Sequence, residues 1–187
     1  NDGSNLYIKN GTLNHDIIFQ GNDDGSAITA LTLDMSAAGA ATFNAGFTAQ
    51  AASTITTADN TDTLTLKSTD ADANEGPILK LHRDSGSPAD SDIIGEIRFN
   101  ADNDAGEDTE YLHFKAQLAD ASDGSEDGQI YLIAKKDGTD RNRFAVKSDE
   151  TIFNEDSQDI DFRVESNSLT HMLFVDANND AIAIGHD

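Results

Sequence analysis

Residues 156–185 read DSQDIDFRVESNSLTHMLFVDANNDAIAIG, and the reading of this stretch decides the fold. It holds three short apolar alternations: Ile160/Phe162/Val164, then Met172/Phe174 beside Leu173/Val175, then Ile182/Ile184. Polar turn material, Glu165 to Thr170 and Asp176 to Asp180, separates them. Alternation over a few residues, bounded by Asn, Asp, Ser and Gly, predicts strand, turn, strand, turn, strand. A three-stranded ribbon has one apolar face and is too thin to be stable by itself. Other parts of the chain, or other chains, must cover it.

The plan recurs. DIIFQGNDDGSAITALTLDMSAAGAATFN (16–44) gives strands Ile17–Phe19, Ile28–Leu33 and Ala41–Phe43, with turns at Asn22–Ser26 and Ser36–Gly39. GQIYLIAKKDGTDRNRFAVKSDETIFN (128–154) is a looser copy, with Ile130–Ile133, Phe144–Val146 and Ile152–Phe153. A strand-turn-strand-turn-strand unit recurring at about 27 to 30 residues is the kind of period that marks arrays and fibres.

The composition suits such an arrangement. Apolar residues make up 37% of the 187 and aromatic ones 6%, with no Trp, which is a lean supply of core. These residues lie in alternating patches rather than scattered, so the chain is not of disordered type. A lean core in regular strands implies that burial is completed between chains.

Twelve Lys and Arg stand against 35 Asp and Glu, a net charge of −23. Such a surface repels nucleic acid and anionic membranes. A trimer would carry roughly three times that charge, a load that salt or bound cations would screen. Cys is absent, which removes disulfides, thiol catalysis and Cys-based zinc sites. No run is long and apolar enough to span a bilayer. The chain opens mid-pattern and stops at Asp187 just after a strand, so the reading is of an ordered part of something longer.

Taken in order, Leu6–Lys9 reads as a strand followed by an Asn10-Gly11 hairpin turn. The Ala-rich stretch 41–51 alternates Ala or Phe with Thr, Asn, Gly and Gln, which predicts strand rather than helix. Small Ala side chains on that face would let chains approach closely around an axis. Residues 52–62 are low in bulk and read as a linker.

A different section follows, with strands expected at Leu64–Leu66, Ile78–Leu81, Ile93–Phe99 and Tyr111–Leu118, joined by long acidic turns. These suggest a small antiparallel sandwich or barrel-like insert continuing into 128–154. The expected architecture is all-β: a repeat segment over 1–62, a central antiparallel β-sandwich-like domain over 63–154, and a second repeat segment over 155–187. Phe19, Leu33, Phe43, Phe47, Phe162, Phe174, Ile182 and Ile184 are the expected core.

The units DIDFRVESN…MLFVDANNDAIAIG and DIIFQGND…LTLDMSAAGAATFN resemble the short β-repeats of tail-fibre proteins of tailed bacteriophages, marine ones especially. The stretch LKSTDADANEGPILKLHRDSGSPADSDIIGEIRF…NDAGED is similar to a domain that accompanies those repeats. The resemblance covers most of the chain. It implies an elongated homotrimeric β-fibre, β-prism or β-helix-like, linking a virion to a receptor-binding tip. It also implies an extracellular, virion-borne location, self-association, end-to-end included, and contact with a host glycan or protein. Nothing in the chain matches the self-cleaving chaperone domain of the endosialidase type in which many such fibres end; such a part is expected beyond Asp187.

The acidic loops raise calcium. Asp70, Asp72 and Asn74 place oxygens at alternate positions, but Gly76 falls one place late and no acid closes the loop. Asp176, Asn178, Asp180 and Asp187 keep the spacing, but Ala181 replaces the turn glycine. Neither is an EF-hand. Looser calcium candidates are Asp102/Asp104/Glu107/Asp108 and Asp120/Asp123/Glu126/Asp127, weighed against ordinary solvated turn carboxylates. The histidines His15, His82, His113, His171 and His186 are scattered, and His113 reads as a half-exposed strand residue opposite Leu112, Phe114 and Ala116.

Carboxylate pairs for glycoside cleavage are uninformative among so many acids, and sugar platforms are scarce with no Trp and three Tyr. No nucleophile elbow, P-loop or dinucleotide fingerprint occurs. His82, Ser85 and Ser87 share a Gly/Pro loop and read as a turn. No enzymatic activity is expected. The readings left open are a trimeric fibre shaft, a glycan-binding adhesin using the 63–127 loops, with calcium or without, and a subunit of a cell-surface filament.

Overall fold

Three antiparallel sheets account for all regular structure in the computed structural model, which describes residues 7–186; no helix occurs among them. Two compact units are formed, Asn1–Thr69 and Asp70–Asp187.

In the first unit, β1 (Ile17–Asp23), β2 (Ser26–Asp34) and β3 (Ala40–Phe43) pair in chain order. The β1–β2 connection is the two-residue turn Asp24-Gly25, both at positive φ (48° and 91°). This is the type I′ geometry that matches strand twist and that Asp-Gly favours. The register sets Ile17 opposite Leu33 and Phe19 opposite Leu31, with Ala41 and Phe43 completing the row. Directly paired residues share a face, so Ile17, Phe19, Leu31, Leu33, Ala41 and Phe43 form one apolar face. Gln20 and Thr29 hydrogen-bond across the other.

The C-terminal sheet repeats this design with β9 (Phe162–Val164), β10 (His171–Asp176) and β11 (Ala181–His186). Its face holds Phe162, Val164, Leu173, Val175, Ile182 and Ile184. Phe174, expected in the same core, pairs with Arg163 and Ala183 and points to the opposite side. Strand period 2 forces that outcome once Val175 lies opposite Phe162.

One device ties both ribbons. The last residue before the first strand, Asp16 or Asp161, accepts a hydrogen bond from the amide just past the middle strand. The donors are Met35 N at 3.1 Å and Ala177 N at 3.0 Å. The middle strand ends in Asp34 or Asp176, whose carboxylate caps the following turn by binding Ala37 N or Asn178 N and Asn179 N.

The central section is a meander of β4 (Ile93–Asp102), β5 (Asp108–Asp120), β6 (Asp127–Lys136), β7 (Thr139–Val146) and β8 (Thr151–Phe153). Asp137-Gly138 makes another turn with positive φ at both residues. Where a sandwich-like central domain was expected, one sheet is present. Leu64–Leu66 and Ile78–Leu81, expected strands, lie outside every ladder. Both are short and flanked by residues already bonded to their own neighbours, as in Thr57–Thr63 and Asp72–Asn74.

Two further expectations fail for the same reason, that alternation without a pairing partner does not make a strand. The 41–51 strand stops at Phe43; Phe47 instead folds back against the Phe43 ring at 5.5 Å. Asn10 uses its side chain to bind Thr12 N and Asp16 O, an Asx turn rather than a hairpin. Leu6, the start of the expected first strand, lies outside the described residues.

Candidate interaction surface

The five-stranded sheet has two chemically distinct faces. On one, Glu96, Arg98, Glu110, His113, Lys115 and Tyr131 interlock. Arg98 donates to Glu96 and lies 3.2 Å from Glu110, and His113 Nδ1 lies 2.6 Å from the same Glu110. Lys115 Nζ sits 4.5 Å above the Tyr131 ring. His113 is on the side expected from alternation but buried rather than half-exposed. Its cross-strand neighbours Arg98 and Ile133 flank it on either side. On a regular strand residues three apart face opposite sides; the register shift that leaves Tyr111 unpaired brings Glu110 to the His113 side, and nothing in the sequence pattern signals it.

The same face is anchored at the β7 end. Asp156 binds Asn142 through both carboxylate oxygens, at 3.0 Å to the backbone N and 3.0 Å to Nδ2. The backbone bond first, then the side-chain bond, holds its carboxyl below the usual carboxylate range. Lys147 reaches Glu155 at 2.7 Å, which raises the ammonium pKa.

The opposite face is apolar. Register puts Ile97 and Phe99 of β4, Leu112, Phe114 and Ala116 of β5, Ile130, Leu132 and Ala134 of β6, Phe144 and Val146 of β7, and Phe153 of β8 on it. At the β6–β7 end the same register puts Arg141, opposite Ala134, and Lys136 on this side; the residues named are uncharged. Phe99 and Phe114 meet edge-on at 6.4 Å, and Phe153 lies 5.0 Å from Phe144 and 4.7 Å from Phe162. Yet Ile97, Phe99, Phe114, Ile130, Val146 and Phe153 remain 37 to 52% exposed.

Only one edge of this face is seen to be met by the unpaired segment before β4. The Cβ of Leu81 would stand 3.1 Å from a Cβ added at Gly95, so the missing side chain makes room for Leu81. Two shallow clefts follow from there, one along Leu81, Ile97, Phe114 and Ile130, the other along Ile94, Ala116, Ile130 and Val146.

A separate cavity of about 360 Å³ lies in the loop before β4, lined by His82, Arg83, Asp84, Ser85, Pro88, Asp92, Ile94 and Leu118. Its cation is engaged: Arg83 pairs with Asp92 at 3.1 Å and donates to Ile93 O. Ser85 accepts from Ser87 N, so the serines form a turn, and His82 lines the same cavity.

The acidic loops are stapled by neutral donors. In the β4–β5 hairpin, Asp102 pairs with Asp108, Asn103 donates to Glu107 at 2.9 Å, and Asn100 donates to Asp108 at 2.9 Å. Asp120 is held below the ordinary carboxylate range by Ser122, through its backbone N–H first. Asp70 and Asp72 each accept from the backbone N–H two residues on. Among the described residues, no three or more His, Asp and Glu side chains gather as a metal site would require, so Asp102, Asp104, Glu107 and Asp108 are not brought together as one. No family model, no curated protein and no solved structure matches this chain.

Proposed function

We propose that this chain is a structural segment of a homotrimeric β-fibre of the bacteriophage tail-fibre kind, extending an adhesive tip towards a host surface, without catalytic turnover. One observation supports this reading most: the apolar faces are left uncovered in the single chain. Among the described residues only His113, Ile133 and Ala145 are buried. A domain needs two packed layers around a core, and identical chains supply the second layer at the right stoichiometry.

The experiment is solution mass by light scattering, with and without a chelator. A trimer in both buffers fits the proposal with no role for calcium. A trimer lost on chelation makes the acidic turns cation sites. A stable, folded monomer overturns it. The loop cavity beside Arg83 favours a second reading, a glycan-binding adhesin, and a glycan array with and without calcium separates the two.

A further inference from the structure

We infer that the loop cavity before β4 binds one terminal sugar residue that carries no acidic group, an inference that rests on the adhesin reading above and gives it a site and a ligand class. At about 360 Å³ the cavity lies at the low end of small-ligand sites, the scale of a single ring rather than of an extended chain. Pro88, Ile94 and Leu118 form an aliphatic wall, and Arg83, Asp84 and Ser85 bring polar groups to the same space. An apolar wall with a few convergent polar groups is the usual makeup of a ligand site.

The guanidinium is positioned by its surroundings. Asp92 Oδ1 lies 3.1 Å from one terminal nitrogen of Arg83, while Asp92 Oδ2 accepts from Ala89 N at 3.2 Å. Ile93 O accepts from the other terminal nitrogen at 3.1 Å. The segment carrying Asp92 is fastened to β5 in turn: Ser91 N donates to Leu118 O, Leu118 N to Asp92 O, and Gln117 Nε2 to Ser91 O. Ser91 holds a φ of 69° there, a backbone conformation that such bonds must impose on a serine. A guanidinium has five N–H donors, so these contacts leave others for a ligand, on a side chain that is 44% exposed. Ser85 Oγ accepts from Ser87 N, which leaves its O–H to donate, and Asp84 supplies an acceptor. Donors and acceptors side by side suit vicinal hydroxyls, and the aliphatic wall suits the C–H face of a ring.

Charge selects against acids. Asp92 offsets Arg83, so Asp84 sets the net sign of the cavity, and the chain around it carries −23. A uronic acid, a sialic acid or a phosphate would be repelled. No Phe, Tyr or Trp lines the cavity, so ring stacking adds nothing. Affinity for one free sugar is therefore expected to be on the order of millimolar, and higher on a surface where several sites engage at once.

The test is an NMR titration of the full chain, labelled with nitrogen-15. The neutral probes are the methyl glycosides of glucose, galactose and mannose, with any glycan retained on the array; glucuronate and inorganic phosphate are the acidic ones. At least one neutral probe is expected to shift the Arg83 Nε–H signal and the amides of 83–94 saturably, with glucuronate roughly tenfold weaker. Arg83→Lys keeps a cation for Asp92 but loses the fork, and is expected to weaken the neutral probe about tenfold with the circular dichroism unchanged. Asp84→Asn is expected to weaken it by about as much and to relieve the discrimination against glucuronate. Tighter binding of glucuronate or phosphate than of every neutral probe would overturn this inference through its ligand class. A positive array with 83–94 unmoved would put the sugar elsewhere and overturn this inference while the adhesin reading stands. A blank array with no shift would overturn both.

Discussion

The Asp16 carboxylate accepts a hydrogen bond from the backbone N–H of Met35 at 3.1 Å, across a separation of 19 residues. Asp161 and Ala177 repeat the relationship at 3.0 Å across 16. Each bond closes the open end of a ribbon, where the first strand begins and the middle strand has just ended. Asp16→Ala and Asp161→Ala should therefore loosen their own ribbon only. Amide hydrogen exchange at Met35 in the first variant, and at Ala177 in the second, is expected to rise about tenfold, with no change at the other.

Acid should weaken the same turns. Asp34 is held below its ordinary value by the Ser36 hydroxyl and then by Ala37 N–H, and Asp176 by the Asn179 side chain and then its N–H. Asp120 and Asp156 are lowered likewise. A carboxyl depressed in the folded state contributes stability that is present above its unfolded value, about 3.9, and is lost as pH falls through the folded values. Thermal melts should be insensitive to these groups between about pH 5 and 8 and fall below about pH 4. High salt in all samples separates this loss from the opposite effect of relieving net charge.

Gly95 and Leu81 should be coupled. A methyl at Gly95 meets Leu81 side-chain carbons at 3.1 and 3.2 Å, so one of them must shift. Gly95→Ala is expected to cost about 1 kcal/mol, and most of that cost should vanish in the Leu81→Ala background. Additive costs in a double-mutant cycle would mean that the two do not touch.

The two Asp-Gly turns give a backbone test. Gly25 and Gly138 sit at φ of 91° and 75°, where an L side chain costs roughly 1–2 kcal/mol. Gly138→Ala should lower the urea midpoint, whereas Asp137→Gly, at a φ of 51°, should be close to neutral. Urea melts of the two variants check this directly.

Both ribbons were legible in the sequence because their turns are written in Asp, Asn and Gly and their strands in strict alternation. Ile17–Phe19, Ile182–Ile184 and the Phe162 strand follow directly. What alternation could not supply was a partner. The 41–51 stretch and Leu64–Leu66 alternate as well as real strands do, yet no ladder takes up the first beyond Phe43 or any of the second. Nor could it assign Phe174, since Met172–Val175 is apolar at consecutive positions and only the register against Phe162 selects a side. The apolar sheet face was half visible, as the side of β5 opposite His113. Its extent across five strands was not, because alternation alone does not set the register between strands.

Every ladder in the three sheets joins strands adjacent in the chain, and that order has a kinetic consequence. Neighbouring hairpins close over short loops, so each sheet can zip on the timescale of microseconds without help from distant segments. Assembly of copies, as proposed above, would by contrast be a bimolecular encounter. Refolding should split into a fast phase that ignores dilution and a slow one whose rate climbs with chain concentration. Between them stands a species with its hydrogen bonds made and its oily side bare, the form most exposed to proteases, aggregation and capture by chaperones.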